Sequence, residues 1–459
     1  MSDLSFAQLP LAKAQIENLA SLGYAHMTDI QAAALPLALA GKDLIAQAKT
    51  GSGKTATFTL PLLSKLNPRD FGAQALILCP TRELATQVAA EIRRLARHQQ
   101  NIKVVTLCGG QPIGPQIGSL EHGAHIVVGT PGRINDHLRK STLDISRIST
   151  LVLDEADRML EMGFLEDISR IIEATPRTRQ TLLFSATYPG DIQKLSGRFQ
   201  RSAQMVKVES THGEQHISQQ FYLCDGAGKL EALGRIIAHH APPAAVIFCN
   251  TKDVVREVTV HLQNQGNSAL ALHGDLEQRE RDQVLIQFAN QSCRLLVATD
   301  VAARGLDIDD LPAVINFDLP RDPDQYTHRI GRTGRAGKTG LAFSLFTANE
   351  RYKLEGIAAD HDRDVAFDKV DALPGSEEAM AAPGFVTLCI AGGRKEKVRP
   401  GDILGALTGA GGIDGKAVGK INVTDYAAFV AVQSDLAKRA LHQLQAGKIK
   451  GRKFKVRKL

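Results

Sequence analysis

The octet Ala48-Lys49-Thr50-Gly51-Ser52-Gly53-Lys54-Thr55 follows an apolar run and opens a helical pattern, the setting a phosphate-binding loop needs. Gly51 and Gly53 let backbone amides approach phosphate oxygens, Lys54 reaches the β and γ phosphates, and the Thr55 hydroxyl is placed to ligate Mg²⁺. Ala48 stands where the strict pattern has its first glycine. About a hundred residues on, the apolar run Thr150-Leu151-Val152-Leu153 ends in Asp154-Glu155-Ala156-Asp157. Carboxylates at the carboxyl end of a buried parallel strand sit where open α/β sheets bind ligands. Asp154 suits Mg²⁺ coordination, and Glu155 suits deprotonation of an attacking water. An acidic tetrad alone reads as a solvated helix start; the phosphate loop upstream makes it a site.

These residues need a scaffold that aims several strand ends at one edge. Short apolar runs recur at Asp43 to Ala46, Ala75 to Cys79, Val104 to Cys108, Ile126 to Val128, Thr150 to Leu153 and Gln180 to Phe184, separated by helical patterns such as Leu84, Val88, Ile92 and Leu95. That alternation predicts a doubly wound α/β domain with a parallel sheet. It restarts with runs at Ala245 to Cys249, Ala269 to Leu272, Arg294 to Ala298, Ala313 to Phe317 and Leu341 to Phe346, predicting a second such domain. Polar, aperiodic stretches at Glu209 to Ser218 and Ala372 to Pro383 read as linkers, giving expected domains at 1–208, 219–371 and 383–459. The last predicts strands at Phe385 to Ile390, Val418 to Val423, Tyr426 to Val432 and Lys453 to Lys458. One helix is expected from Pro400 to Gly409 and another from Ser434 to Gly447, so the order is βαββαβ, that of a small α+β RRM-like module.

Charge divides along the same boundaries. Residues 383–459 hold 15 Lys and Arg against 5 Asp and Glu, a net +10, whereas residues 1–382 hold 40 against 44. A basic appendage on a near-neutral body points to a polyanionic partner. No apolar stretch is long enough for a membrane helix, and the opening MSDLSFAQLP lacks the basic-then-apolar pattern of a leader, so a cytoplasmic protein is expected. Cys79, Cys108, Cys224, Cys249, Cys293 and Cys389 are scattered in apolar surroundings without a C-x-x-C pair; buried free thiols are expected, not a structural metal.

The phosphate loop, Asp154-Glu155-Ala156-Asp157, Ser185-Ala186-Thr187 and His328-Arg329-Ile330-Gly331-Arg332-Thr333-Gly334-Arg335, in that order, resemble a DEAD-box RNA helicase across both α/β domains. The resemblance implies two tandem RecA-like P-loop domains that hydrolyse ATP to ADP and phosphate in response to RNA, with ATP and Mg²⁺ as cofactors. Phe6, 17 residues before Gly23, and Gln31 resemble the elements that read adenine, although Asp29 stands where the family usually has proline. The resemblance further assigns Asp307 to the ribose, Arg332 and Arg335 to the γ phosphate, and Ser185 and Thr187 to the link between ATP and strand separation. It places Pro80, Thr81, Arg82, Gly110, Thr130 and Arg133 of the first domain, and Asn250, Gln278, Arg281, Thr299 and Asp300 of the second, along RNA. Thr81 and Thr130 also read as helix caps, Thr130 with Pro131 behind it, and helix N-termini bind phosphate. With Lys54 and Glu155 on one domain and the arginines on the other, hydrolysis would require closure, and ATP and RNA would favour each other's binding.

The closing module resembles the C-terminal domain of DbpA-type helicases through Arg399-Pro400-Gly401-Asp402-Ile403-Leu404-Gly405-Ala406-Leu407, Gly419-Lys420-Ile421 and Lys448-Ile449-Lys450-Gly451-Arg452. That likeness implies a hairpin of 23S ribosomal RNA in large-subunit precursors as partner. Only Phe429 falls where an RRM stacking aromatic is expected. Recognition by edges and loops is therefore expected, through Lys395, Lys397, Arg399, Lys420, Lys448, Lys450, Arg452 and Arg457. Three rivals remain: a helicase of the same kind acting on other structured RNA, an ATP-gated RNA clamp without turnover, which intact Glu155, Arg332 and Arg335 disfavour, and a DNA translocase, which Gln31 and the motif set disfavour.

Overall fold

The computed structural model describes residues 4–48, 52–188, 190–208, 217–224, 228–303, 311–320, 322–334, 339–360, 366–373, 381–409 and 411–459. The described residues fall into two compact units, one made of those up to Val208 and the other of those from Ile217 on.

In the first unit the apolar runs are strands: β1 (Leu44–Gln47), β2 (Ala75–Leu78), β3 (Val104–Leu107), β4 (Ile126–Gly129), β5 (Thr150–Leu153) and β6 (Gln180–Ser185), joined by β7 (Gln204–Lys207). They form one parallel sheet in the order β3-β4-β2-β5-β6-β1-β7. Alternate residues feed two cores: Leu44, Ile77, Val152 and Phe184 point into one, Ile45, Leu76, Leu153 and Leu183 into the other. Burial on both faces is why these strands read as unbroken apolar runs.

The second unit repeats the plan with β8 (Ile217–Leu223), β9 (Ala245–Cys249), β10 (Ala269–Leu272), β11 (Leu295–Thr299), β12 (Ala313–Asn316), β13 (Gly340–Phe346) and β14 (Phe367–Lys369), a parallel sheet ordered β10-β11-β9-β12-β13-β8-β14. Strand β8 corrects the expected linker at 209–218: Ile217 and Ser218 pair with Gly340 and Leu341, while 209–216 lie outside the described residues. The polar, aperiodic run from Glu209 to Ser218 hides the strand's start, because Ile217 is followed at once by Ser218, Gln219 and Gln220.

The closing module has β15 (Phe385–Ile390), β16 (Val418–Val423), β17 (Ala428–Gln433) and β18 (Val456–Lys458) in an antiparallel sheet ordered β16-β17-β15-β18, with helices Pro400–Thr408 and Ala437–Ala446. The βαββαβ order holds. Tyr426 and Ala427, expected in a strand, belong instead to a turn in which the Thr424 hydroxyl donates to the Ala427 carbonyl. Leu388, Val430 and Val456 face the helices and form the module's core.

The other face of that sheet is covered too. Thr387, Cys389, Phe429 and Ala431 are all buried, although none belongs to the helix-side core. The amide of Asn290 donates to the Thr387 hydroxyl (3.1 Å), which also meets the Ser292 hydroxyl at 2.7 Å. Arg294 donates to the Ala382 carbonyl, and Arg457 to the Gln283 side chain. The face that carries stacking aromatics in an RRM thus lies against the second α/β domain, and Phe429 is a packed residue here.

Candidate functional site

The strand order divides the carboxyl edge of the first sheet in two. Adjacent β5, β6 and β1 end at Asp154, Ser185 and the phosphate loop; adjacent β3, β4 and β2 lead into Gly110, Thr130 and Pro80-Thr81. Nucleotide-type residues therefore lie on one half of the edge and the RNA-type residues on the other, joined where β2 pairs with β5.

The phosphate loop is braced from the element expected to read adenine. Gln31 is buried; its side-chain oxygen accepts from the Thr28 amide (2.9 Å) and its Nε2 donates to the Gly53 carbonyl (3.1 Å). The Thr28 hydroxyl donates to the Ser52 carbonyl at 2.7 Å. Gly53 has φ 94°, and a Cβ there would come within 2.4 Å of the Gln31 amide nitrogen, so the brace requires glycine. Phe6 is a buried core residue that meets Tyr24 edge-on at 6.1 Å between ring centroids. Lys49, Thr50 and Gly51 lie outside the described residues. Lys54 is buried and donates to the Ala48 carbonyl at 3.1 Å, the loop's own oxygen occupying the ammonium.

Asp154 is buried 97 % from solvent, and its Oδ1 has no hydrogen-bond partner among the described residues; the Ser52 and Ser185 hydroxyls share that condition. Burial pushes the Asp154 carboxyl up to about 6, with Lys54 opposing and Glu155 reinforcing the rise. A buried, unpartnered carboxylate oxygen beside a lysine, with the Thr55 hydroxyl following, is an oxygen donor set that fits a hard divalent cation such as Mg²⁺. Glu155 caps the helix Ala156–Glu161 in a left-handed backbone conformation, φ 52°, which a non-glycine residue adopts at a cost of about 1–2 kcal/mol. Its carboxylate pairs with Arg158 at 3.1 Å, both side chains being buried.

Asp157 is the joint of this half-edge. Its Oδ2 accepts from the backbone amides of Ala186 (3.0 Å) and Thr187 (2.9 Å) and from the Thr187 hydroxyl (3.1 Å). The Ala48 amide in turn donates to the Ser185 carbonyl. Ser185 and Thr187 are thus wired to both the acidic tetrad and the phosphate loop. Neither Asp157 nor Arg158 was singled out in the sequence; their spacing, three residues after Asp154 and Glu155, is the signal available there.

On the other half-edge Thr81 caps the helix Arg82–Leu95 by accepting from the Leu84 amide, whereas Thr130 stands at the N-cap position of Pro131–Arg139 without a side-chain cap bond, its hydroxyl receiving the Gly109 amide instead. Gly110 takes φ 72°, and Arg133 donates to the Gln111 carbonyl. Pro80, Thr81, Arg82, Gly110, Thr130 and Arg133 come from three neighbouring strand ends.

In the second unit the centre is Arg329, which is almost fully buried. Its guanidinium donates to both Asp300 oxygens (2.6 Å each), to the Asn316 side chain, the Asp318 carbonyl and the Asn250 side chain, and lies over the Phe248 ring. Asn250 and Asp300, both expected to meet RNA, are therefore held by one arginine that the sequence showed only as part of a longer run. Thr299 accepts from the Ala302 amide, Gln278 donates to Asp282, and Arg281 donates to the Ala302 carbonyl. Arg332 is buried nearby in sequence, its carbonyl receiving the Leu311 amide. Asp307 and Arg335 lie outside the described residues.

The basic set of the closing module is exposed but not one patch. Lys450 donates to the Lys397 carbonyl, gathering Lys395, Lys397, Arg399, Lys448, Lys450 and Arg452 on two apposed loops. Lys420 lies on edge strand β16, and Arg457 on the opposite edge strand β18. All six cysteines are buried free thiols, with Cys108 pushed up to about 12 by burial. Among the described residues no cluster of histidine, cysteine and carboxylate groups could hold a structural metal, and no helix is long and apolar enough to cross a membrane.

Two parallel doubly wound sheets, the first with a phosphate loop and an acidic tetrad on adjacent strand ends, define a tandem RecA-like ATPase. The chain matches the family profiles DEAD/DEAH box helicase over residues 28–195, helicase conserved C-terminal domain over 228–337 and DbpA RNA binding domain over 387–458. It is 53% identical to the ATP-dependent RNA helicase DbpA of Escherichia coli K12 across 98% of both chains. It is 44% identical to the DEAD-box ATP-dependent RNA helicase CshA of Bacillus cereus, over 82% of this chain and 71% of that one. Among solved structures, S. cerevisiae Dbp5 bound to RNA and ADP BeF3 is similar with a TM-score of 0.74 at 30% identity, covering 80% of this chain and 96% of that one. The chain belongs to the DEAD-box ATP-dependent RNA helicases, of the DbpA type. It is an RNA-stimulated ATPase that uses ATP and acts on RNA.

Proposed function

We propose that this helicase remodels a hairpin region of 23S ribosomal RNA in cytoplasmic large-subunit precursors, with Mg²⁺·ATP as its fuel. The observation that carries the target is the closing module: it matches the DbpA RNA-binding profile, carries a net +10, and presents its lysines and arginines on loops and edge strands while its sheet face is packed away. Such a module grips folded RNA by backbone and shape.

In the ATP site the Lys54 ammonium would exchange the Ala48 carbonyl for phosphate oxygens. Asp154 and Thr55 would hold Mg²⁺, which neutralises phosphate charge when bound. Glu155 takes the proton of the attacking water, and phosphate leaves. Gln31 reads adenine with the hydrogen-bonding capacity left beyond Thr28 and Gly53, Phe6 backs that element, and Asp307 takes the ribose. Arg332 and Arg335 supply positive charge to the γ phosphate on closure, an effect of about 10³- to 10⁵-fold in related phosphoryl transfers. Asp157 carries the state of the acidic tetrad to Ser185 and Thr187. The RNA strand then runs over Pro80, Thr81, Arg82, Gly110, Thr130 and Arg133, and over Asn250, Gln278, Arg281, Thr299 and Asp300. These contacts read backbone, so target choice falls to the closing module.

The test is steady-state ATPase of the full chain with 23S ribosomal RNA and with an unrelated RNA of equal length. Half-maximal stimulation at much lower 23S concentration is expected. Equal response to both would overturn the ribosomal target, and turnover insensitive to any RNA would favour a non-catalytic clamp.

A further inference from the structure

A cleft of about 670 Å³ opens at the seam where the closing module meets the second α/β domain, a size that suits a small organic group. One wall is Arg279, from the helix Gln278–Ala289 of the α/β domain. The other walls are Tyr426, Phe454, Lys455 and Arg457 of the module, with the buried Cys389 among the lining residues. Three of the ten lining residues are cations and none is acidic. Neither Arg279 nor Lys455 has an acidic partner among the described residues, while Arg457 is held toward Arg279's helix by its bond to Gln283. Tyr426 is 68% exposed, a large ring left in water at the turn before β17.

We infer that this cleft is a composite subsite for one unpaired RNA nucleotide, its base lying against Tyr426 and Phe454 and its phosphates beside Arg279, Lys455 and Arg457. Aromatic rings next to cations, without carboxylates, complement a flat base joined to an anion. Peptide recognition would leave the unopposed positive charge unexplained. The position is continuous with the RNA path proposed above: Arg279 sits between Gln278 and Arg281 in the first turn of the same helix. The clasp at Thr387 fixes the module on this helix, so the two halves of the cleft are held together. A base captured here would set the distance between the RNA gripped by the module and the strand gripped by the second domain. The inference rests on RNA binding by the closing module.

The experiment uses the full chain and 23S ribosomal RNA substituted with 4-thiouridine, cross-linked by light and mapped by peptide. Crosslinks at the Tyr426 and Phe454 peptides are expected. Y426A and R279E should each weaken that RNA by about 5- to 100-fold, the range set by loss of one stacked base or of phosphate contacts, with RNA-free ATPase unchanged. Both positions are exposed, and Phe454→Leu serves as a milder variant at the packed ring, expected to weaken binding less. Wild-type binding with crosslinks elsewhere and undiminished affinity in Y426A and R279E would overturn the cleft alone. A wild-type chain that holds no RNA would overturn the parent reading and the cleft with it. Crosslinks at the cleft with loss in both variants would establish it.

Discussion

The two α/β domains bury charge in opposite ways. At the nucleotide half-edge of the first, Asp154 and Ser185 are buried and the Ser52 hydroxyl is covered, each with a polar atom unpartnered among the described residues, and Glu155 sits in a left-handed conformation. At the corresponding edge of the second, the equally buried Arg329 guanidinium makes five hydrogen bonds to four residues. An unpartnered buried group costs free energy that only a ligand can recover, whereas a fully paired one holds its neighbours in place. The first edge is built to bind; the second is built to position Asn250 and Asp300 for something that binds.

That contrast can be broken by mutation. Glu155→Gln should have the largest effect, lowering RNA-stimulated turnover by about 10²- to 10⁴-fold while ATP binding persists, because the amide cannot take the water's proton. Single-turnover hydrolysis and nucleotide titration check it, and near-normal turnover would remove Glu155 as the base. Arg329→Ala should come next, destabilising the second domain by about 3–5 kcal/mol by emptying a buried site and leaving the partly buried Asp300 carboxylate and the buried Asn316 side chain without their shared donor. Denaturant unfolding measures this; a loss under 1 kcal/mol would mean the network is not structural. Thr387→Val should cost about 1–2 kcal/mol by leaving the buried Asn290 amide without its acceptor, with no change in nucleotide affinity. An unfolding transition of the closing module that does not shift would show that the clasp contributes nothing.

Much of this was legible beforehand, and the exceptions share a cause. Strands buried on both faces announce themselves as apolar runs, so β1 to β6 and β9 to β13 fall within a residue or so of expectation. Strands β7, β8 and β14 lie toward the far edges of their sheets; β14 is wholly exposed, β7 buries only Val206, and in β8 three polar residues follow Ile217. The phosphate loop and the acidic tetrad are contiguous, hence visible. Arg329 acts through partners up to 79 residues away, and Asp157 through Ala186 and Thr187, so neither role exists until the sheets assemble. Phe429 shows the same limit from the other side: alternation identified its face but not that Asn290 and Ser292 come from the domain covering it.

Asp154→Asn, followed by unfolding of the nucleotide-free and Mg²⁺·ATP-loaded protein against pH, tests the contrast most directly. The folded carboxyl titrates near 6, above its ordinary value of 3.8, so its stabilising influence is complete below pH 3.8 and is lost as pH rises through 6. Above pH 6 the nucleotide-free wild type therefore carries a penalty on the order of 3 kcal/mol that asparagine lacks. The account predicts that Asp154→Asn is the more stable protein without nucleotide near pH 7. It should gain little from Mg²⁺·ATP, whereas the wild type gains much and loses affinity about tenfold per pH unit below 6. A variant less stable than wild type without nucleotide, yet stabilised equally by Mg²⁺·ATP, would contradict the claim that this buried carboxylate is held for the ligand.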